Sequence, residues 1–108
     1  MAFKSKATPN ISVLATPTTI TDSVSSGNTQ TIIGLSVANV ITSNITMSLK
    51  LNKSGGTSSF VVKDALILPG GALIVVGGDQ KIVLEAGDSI TAYASVAASS
   101  DAIISYLV

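Results

Sequence analysis

NITMSLKLN, residues 44–52, alternates without a break: Ile45, Met47, Leu49 and Leu51 fall on one side of an extended chain, and Thr46, Ser48, Lys50 and Asn52 on the other. A strand with one apolar and one wet face belongs to an antiparallel sheet that covers a core on one side only. Just upstream, TQTIIGLSVAN (29–39) has the same period, with Ile33, Leu35 and Val37 expected to face inward and Gly34, Ser36 and Ala38 outward. Ile41-Thr42-Ser43-Asn44 between them suits a tight connection, so the two segments are expected to pair as an antiparallel hairpin.

Strand signals continue on both sides of this pair. A short strand is expected through Phe60 and Val62, another over Ala65–Leu68 stopped by Pro69-Gly70-Gly71, and a third over Ala72–Val76 stopped by Gly77-Gly78. Lys81–Leu84 and Ser89–Ser95 flank Glu85-Ala86-Gly87-Asp88, read as a hairpin turn in which Gly87 supplies a positive φ and Asp88 bonds backbone amides. Ala102–Val108 is an apolar strand that must be paired, because an open edge of that composition recruits other chains. An early strand around Ile11–Ala15 completes the set, and the Ser- and Thr-rich stretch from Thr16 to Asn28 reads as a long surface loop or weak edge. No helical stripe interrupts the series. The fold class is therefore all-β: a single-domain antiparallel β-sandwich, jelly-roll or Ig-like, of about seven to eight strands. Residues 1–10 read as an N-terminal arm and 11–108 as the sandwich domain.

With 108 residues the chain supports one core. Charged residues make up only 11% against 46% hydrophobic, so surface polarity comes from Ser, Thr, Asn and Gly. Six lysines balance six acidic residues, leaving little repulsion between copies, and a homo-oligomer is expected. The absence of arginine and of lysine runs argues against nucleic acid as a partner. Without cysteine there is neither a disulfide framework nor a thiolate metal site. No stretch reads as a signal peptide or as a membrane span.

Histidine is missing altogether, which removes the commonest general base and metal ligand together with every Ser-His or Cys-His pair. Ser59 with Lys63 has strand spacing for a Ser-Lys pair, but two solvated side chains are the simpler reading. Glu85 and Asp88 lie close enough for acid-base work, yet Asp88 suits a turn better. No calcium-loop or phosphate-loop pattern accompanies the acidic residues or the paired glycines. No catalytic residue, metal or cofactor is assigned, and an enzyme is not expected. Phe60 and one of the two tyrosines are expected in the core.

Four stretches, MAFKSK (1–6), VKDALILPGGALIVV (62–76), KIVLEAGDSITAYAS (81–95) and ISYLV (104–108), carry a resemblance along nearly the full length of the chain. The chain resembles small β-sandwich virion structural proteins of tailed bacteriophages, notably of marine and cyanobacterial hosts. That resemblance implies a particle component located in the virion and assembled in the host cytoplasm, with the major capsid protein or other virion proteins as partners. A capsid decoration or cement protein bound to the head shell is the first expectation; a neck, tail or fibre-attachment component and a carbohydrate-binding or adhesin module are the alternatives. The arm is expected to dock on the particle through Phe3 as an apolar anchor and Lys4 and Lys6 as charged contacts.

Overall fold

The computed structural model describes residues 2–108, which form nine strands and no helix: β1 (Phe3–Thr8), β2 (Thr18–Thr19), β3 (Thr29–Asn39), β4 (Ile45–Asn52), β5 (Ser58–Ile67), β6 (Ala72–Val76), β7 (Ile82–Glu85), β8 (Ser89–Ala94) and β9 (Ser100–Leu107). One sheet runs β1-β9-β3, with β7 and β6 lying end to end along the far side of β3; the other runs β2-β8-β4-β5. Every pairing is antiparallel. Following the pairs inward, β1 meets β9, β2 meets β8, β3 meets β6 and β7, and β4 meets β5. The chain is thus one long hairpin rolled into two sheets, the jelly-roll arrangement. It doubles back at Lys53–Thr57, where the Lys53 amide donates to the Thr57 carbonyl at 2.8 Å and Gly56 takes a φ of 100°.

This topology corrects two expected hairpins. β3 and β4 lie in opposite sheets, as do β7 and β8, because alternation reports which face of a strand is buried and not which strand lies beside it. After Asn39 the chain crosses the core edge instead of turning back. The buried Asn39 amide holds that crossing, donating to the carbonyls of Ser43 at 2.8 Å and Ile67 at 3.0 Å while its oxygen accepts from the Ile41 amide. At the β7–β8 corner Gly87 does take a positive φ, 82°, and a Cβ there would lie 2.8 Å from the Ser54 side chain, so two turns close on each other at a point where only glycine fits.

Leu35, Val37, Ile45, Met47 and Leu49 face the core as the alternation required, and Leu51 packs half-buried at its margin. Ile33 does not. A bulge between Ile32 and Gly34 shifts the phase of β3, so Ile32 is fully buried and Ile33 is left half-exposed. The Phe60 and Ala65 segments are one strand, β5, bent where Asp64 adopts a φ of 51° opposite a bulge in the β4 pairing. Ser48, buried at that bend, accepts from the Asp64 amide at 2.9 Å and so replaces the ladder bond the bulge removes. Ile11–Ala15 is not a strand. Ile11 instead plugs the core from irregular chain, its amide donating to the Ser100 carbonyl and its carbonyl accepting from Ala98. The stretch from Thr16 to Asn28 contains only the two-residue β2, but it buries Ile20 and Val24 and is therefore packed irregular chain.

The expected arm is corrected as well. Over Phe3–Thr8 it is β1, laid in register along β9 from Phe3 opposite Leu107 to Thr8 opposite Ala102. Met1 lies outside the described residues. The alternation of Phe3, Ser5 and Ala7 with Lys4 and Lys6 is a strand period, but with lysines in the second set no apolar face marks it out.

Candidate docking face

The register of β1, β9, β3, β6 and β7 places their outward side chains in rows across the sheet. One row is Ala7, Ile103, Ser36 and Ile74. Another is Phe3, Leu107, Thr31 and Val83. Between them lie Ser5, Ser105 and Gly34, with a Cβ placed on Gly34 3.8 Å from that of Ser105. Large side chains thus flank a lane of small ones. Ile103 and Leu107 are four residues apart, so the two rows are separated by about 13 Å. Phe3 is 75% exposed, Ile74 67%, Ile103 55% and Val83 52%. Within these strands, charge on this face is confined to the rim, at Asp101 beside Ala38 and Glu85 beside Thr29. Exposed apolar side chains gathered on one outer face make it the candidate interaction surface of the described residues.

The other sheet presents a different surface. Lys50 and Lys63 reach over the exposed Phe60 ring, their ammonium nitrogens 5.0 and 5.4 Å from its centroid. Phe60 is therefore not in the core, contrary to expectation, and Tyr106 is the buried aromatic. Along the same face Asn52 donates to the Thr91 hydroxyl at 3.1 Å and accepts from Ser58 at 3.0 Å. One side of the sandwich carries the apolar rows; the other carries two lysines, hydroxyls and an amide around Phe60, with Leu66 exposed farther along β5.

The three residues expected to act together are divided by the pleat of β1. Phe3 joins the outer row with Leu107, whereas Lys4 and Lys6 stand opposite Tyr106 and Ile104, on the core side of an edge strand. There Lys6 donates to Asp22 Oδ1 at 3.1 Å, and the Tyr106 hydroxyl donates to Oδ2 of the same carboxylate. The Tyr106 bond first, and the Lys6 ammonium second, hold the Asp22 carboxyl below its ordinary range; the same carboxylate pushes the Tyr106 phenol up. Lys4 borders a cleft of about 440 Å³ beside Asp22, Gln30 and Tyr106. Lys6 thus helps close the open edge of the sandwich, Lys4 lies exposed at the cleft, and only Phe3 belongs to the apolar face.

Asp88 behaves as the turn residue the sequence indicated, with more partners than a turn needs. It is 3% exposed, and it accepts from the Lys53 ammonium, from the Ser54 amide at 3.0 Å and from the Glu85 amide at 2.9 Å. Lys53 is the main cause of its lowered pKa, with the Glu85 amide next, and in return Asp88 and then Glu85 raise that of Lys53. Both carboxylate oxygens are engaged and the residue is buried, so the group joins two turns. Ser59 and Lys63 are both exposed, and Lys63 is directed at Phe60. Among the described residues no group of three His, Cys, Asp or Glu side chains could hold a metal ion.

The outer face escaped the sequence reading although a signal was present. ALIVV (72–76) and AIISYL (102–107) are apolar at both parities, the pattern of a strand covered on both sides. No protein-family model, curated protein or solved structure matches the chain.

Proposed function

We propose that this chain is a structural protein of a tailed-bacteriophage particle, a decoration or cement protein that seats the outer face of the β1-β9-β3 sheet on the head shell. The observation that carries the reading is the contrast between the two faces: Phe3, Ile74, Val83 and Ile103 exposed on one with Leu107 half-buried between them, and on the other Lys50 and Lys63 around Phe60, with Leu66 as its other exposed apolar side chain. A protein so divided is suited to lie with one side against a protein surface and the other in water. The jelly roll adds an analogy of fold, since viral capsid domains use it, and analogy of fold is the weaker support.

The apolar face measures roughly 15 by 20 Å, about 300 Å². Standard protein interfaces bury about 800 Å² on each partner. A single docked copy would therefore bind weakly, and firm binding on a repeating shell would need contacts between neighbouring copies that join them into one multivalent layer. The test is the copy number in purified virions, taken by densitometry against the major shell protein. Copies comparable to the shell protein support decoration; a small fraction of that number moves the protein to the neck or tail; absence from the virion overturns the reading.

A further inference from the structure

β1 is held in the fold differently from every other long strand. None of its side chains is buried: Phe3, Lys4, Ser5 and Ala7 are exposed, and Lys6 and Thr8 are half-exposed. It is attached by its ladder to β9, by the Ala2–Val108 backbone bonds and by the Lys6–Asp22 ion pair. It leaves the sheet through Pro9 and Asn10, where Asn10 sits in the left-handed region at a φ of 57°. β9 is the opposite case. Ala102, Ile104 and Tyr106 are core residues, and its other edge is fixed to β3 along the whole strand.

We infer that β1 is an exchangeable strand, and that the edge of β9 is a binding site for the β1 of a second copy of this chain. The β9 edge is apolar on its core face and carries Ile103 and Leu107 on the other, so left open it would recruit a strand. It does not discriminate whose. A β1 arriving from a neighbour makes the same ladder, the same Lys6–Asp22 pair and the same Phe3–Leu107 pairing, so exchange puts at stake only the exposed hinge bond from the Asn10 amide to Asp101. Extending the hinge releases the left-handed turn at Asn10, and short strained hinges favour exchange. With no net charge, the chains do not repel one another at close approach. A neighbour's β1 also completes the outer rows, so Phe3 and Ala7 from one chain would stand beside Leu107 and Ile103 of the next. Exchange between copies can occur whether or not a shell binds them, so this inference stands apart from the particle reading.

The chain has no cysteine, which permits a direct test. Ser5 and Ser105 are register partners on the outer face, so S5C in one chain and S105C in another can form a disulfide when one chain's β1 lies on the other's β9. The two single variants, distinguished by a mass tag, are refolded together at rising concentration up to about millimolar, where a neighbour competes with a tethered strand. The expected result is a disulfide-linked dimer containing one chain of each kind, growing with concentration, and scarce when K4C, whose side chain points to the other face, replaces S5C. A7C with I103C is a second register pair should S5C fold poorly. The inference is overturned if the S5C/S105C double variant closes only within single chains at every concentration and neither mixed pair exceeds the K4C control.

Discussion

Lys53, in the turn between β4 and β5, donates to the buried carboxylate of Asp88, 35 residues away at the corner between β7 and β8. The bond joins the point where the long hairpin folds back to a crossing between the two sheets. Replacing Asp88 with Asn should lower the melting temperature by several degrees, because the amide removes the charge that Lys53 pairs with and turns an NH₂ toward the Ser54 or Glu85 donor. Scanning calorimetry of D88N beside the parent checks this, and an unchanged midpoint would mean the carboxylate is not seated there.

The same group governs the response to acid. Asp88 and Asp22 both have folded pKa values below the unfolded one, so the unfolded chain binds protons first as pH falls and stability is lost from about pH 4 downward. Lys53 and Tyr106 are shifted up, so their contribution is present below about pH 10 and lost as pH rises through their folded values. Stability should be flat between these limits and fall at both ends. Urea unfolding across pH tests the shape, and D22N and D88N should flatten the acid limb.

The bulge in β3 separates two adjacent isoleucines by their energetic weight. Ile32→Ala, like Leu49→Ala, should cost about 2 to 5 kcal/mol as the truncation of a fully buried side chain. Ile33→Ala should cost roughly 1 kcal/mol, a typical value outside the core. Equal costs at 32 and 33 would place the bulge elsewhere.

Ile74→Lys and Ile103→Lys put a charge into one row of the apolar face at positions more than half exposed. Each should change folding stability by no more than about 1 kcal/mol, the span of strand propensity, and each should abolish incorporation into particles. Lys50→Ala on the opposite face should leave incorporation intact. Loss of incorporation with K50A and not with I103K would assign docking to the other sheet.

The sandwich and most strand limits could be read from period and punctuation, and Asn44–Asn52 shows why: its alternation is a property of one strand and needs no partner to be seen. What could not be read depends on two strands at once. The bulge at Ile33 is defined against β9, the continuity of β5 across Asp64 rests on Ser48 in another strand, and the separation of β3 from β4 rests on the crossing that Asn39 braces. Phe60 fails as a core residue for a similar reason: the lysines that shelter it come from β4 and from its own strand. The apolar outer face was legible in composition and hidden in position, since Phe3, Ile74, Val83 and Ile103 share one side of the molecule only when five strands form one sheet.

Pairing from the ends inward also sets an order in time. β4 and β5 are joined by a short turn and can zip first, whereas β1 must wait for a strand about a hundred residues further on, and contacts so distant in sequence make folding slow. Of the nine strands β9 is made after all the others, yet its place is between β1 and β3. At translation rates of about 5 to 20 residues per second, the first sheet stays open for on the order of ten seconds after β1 has emerged. During that interval β1 has no partner in its own chain. Exchange of β1 between copies then depends on how closely ribosomes follow one another on a message as well as on the concentration of finished protein.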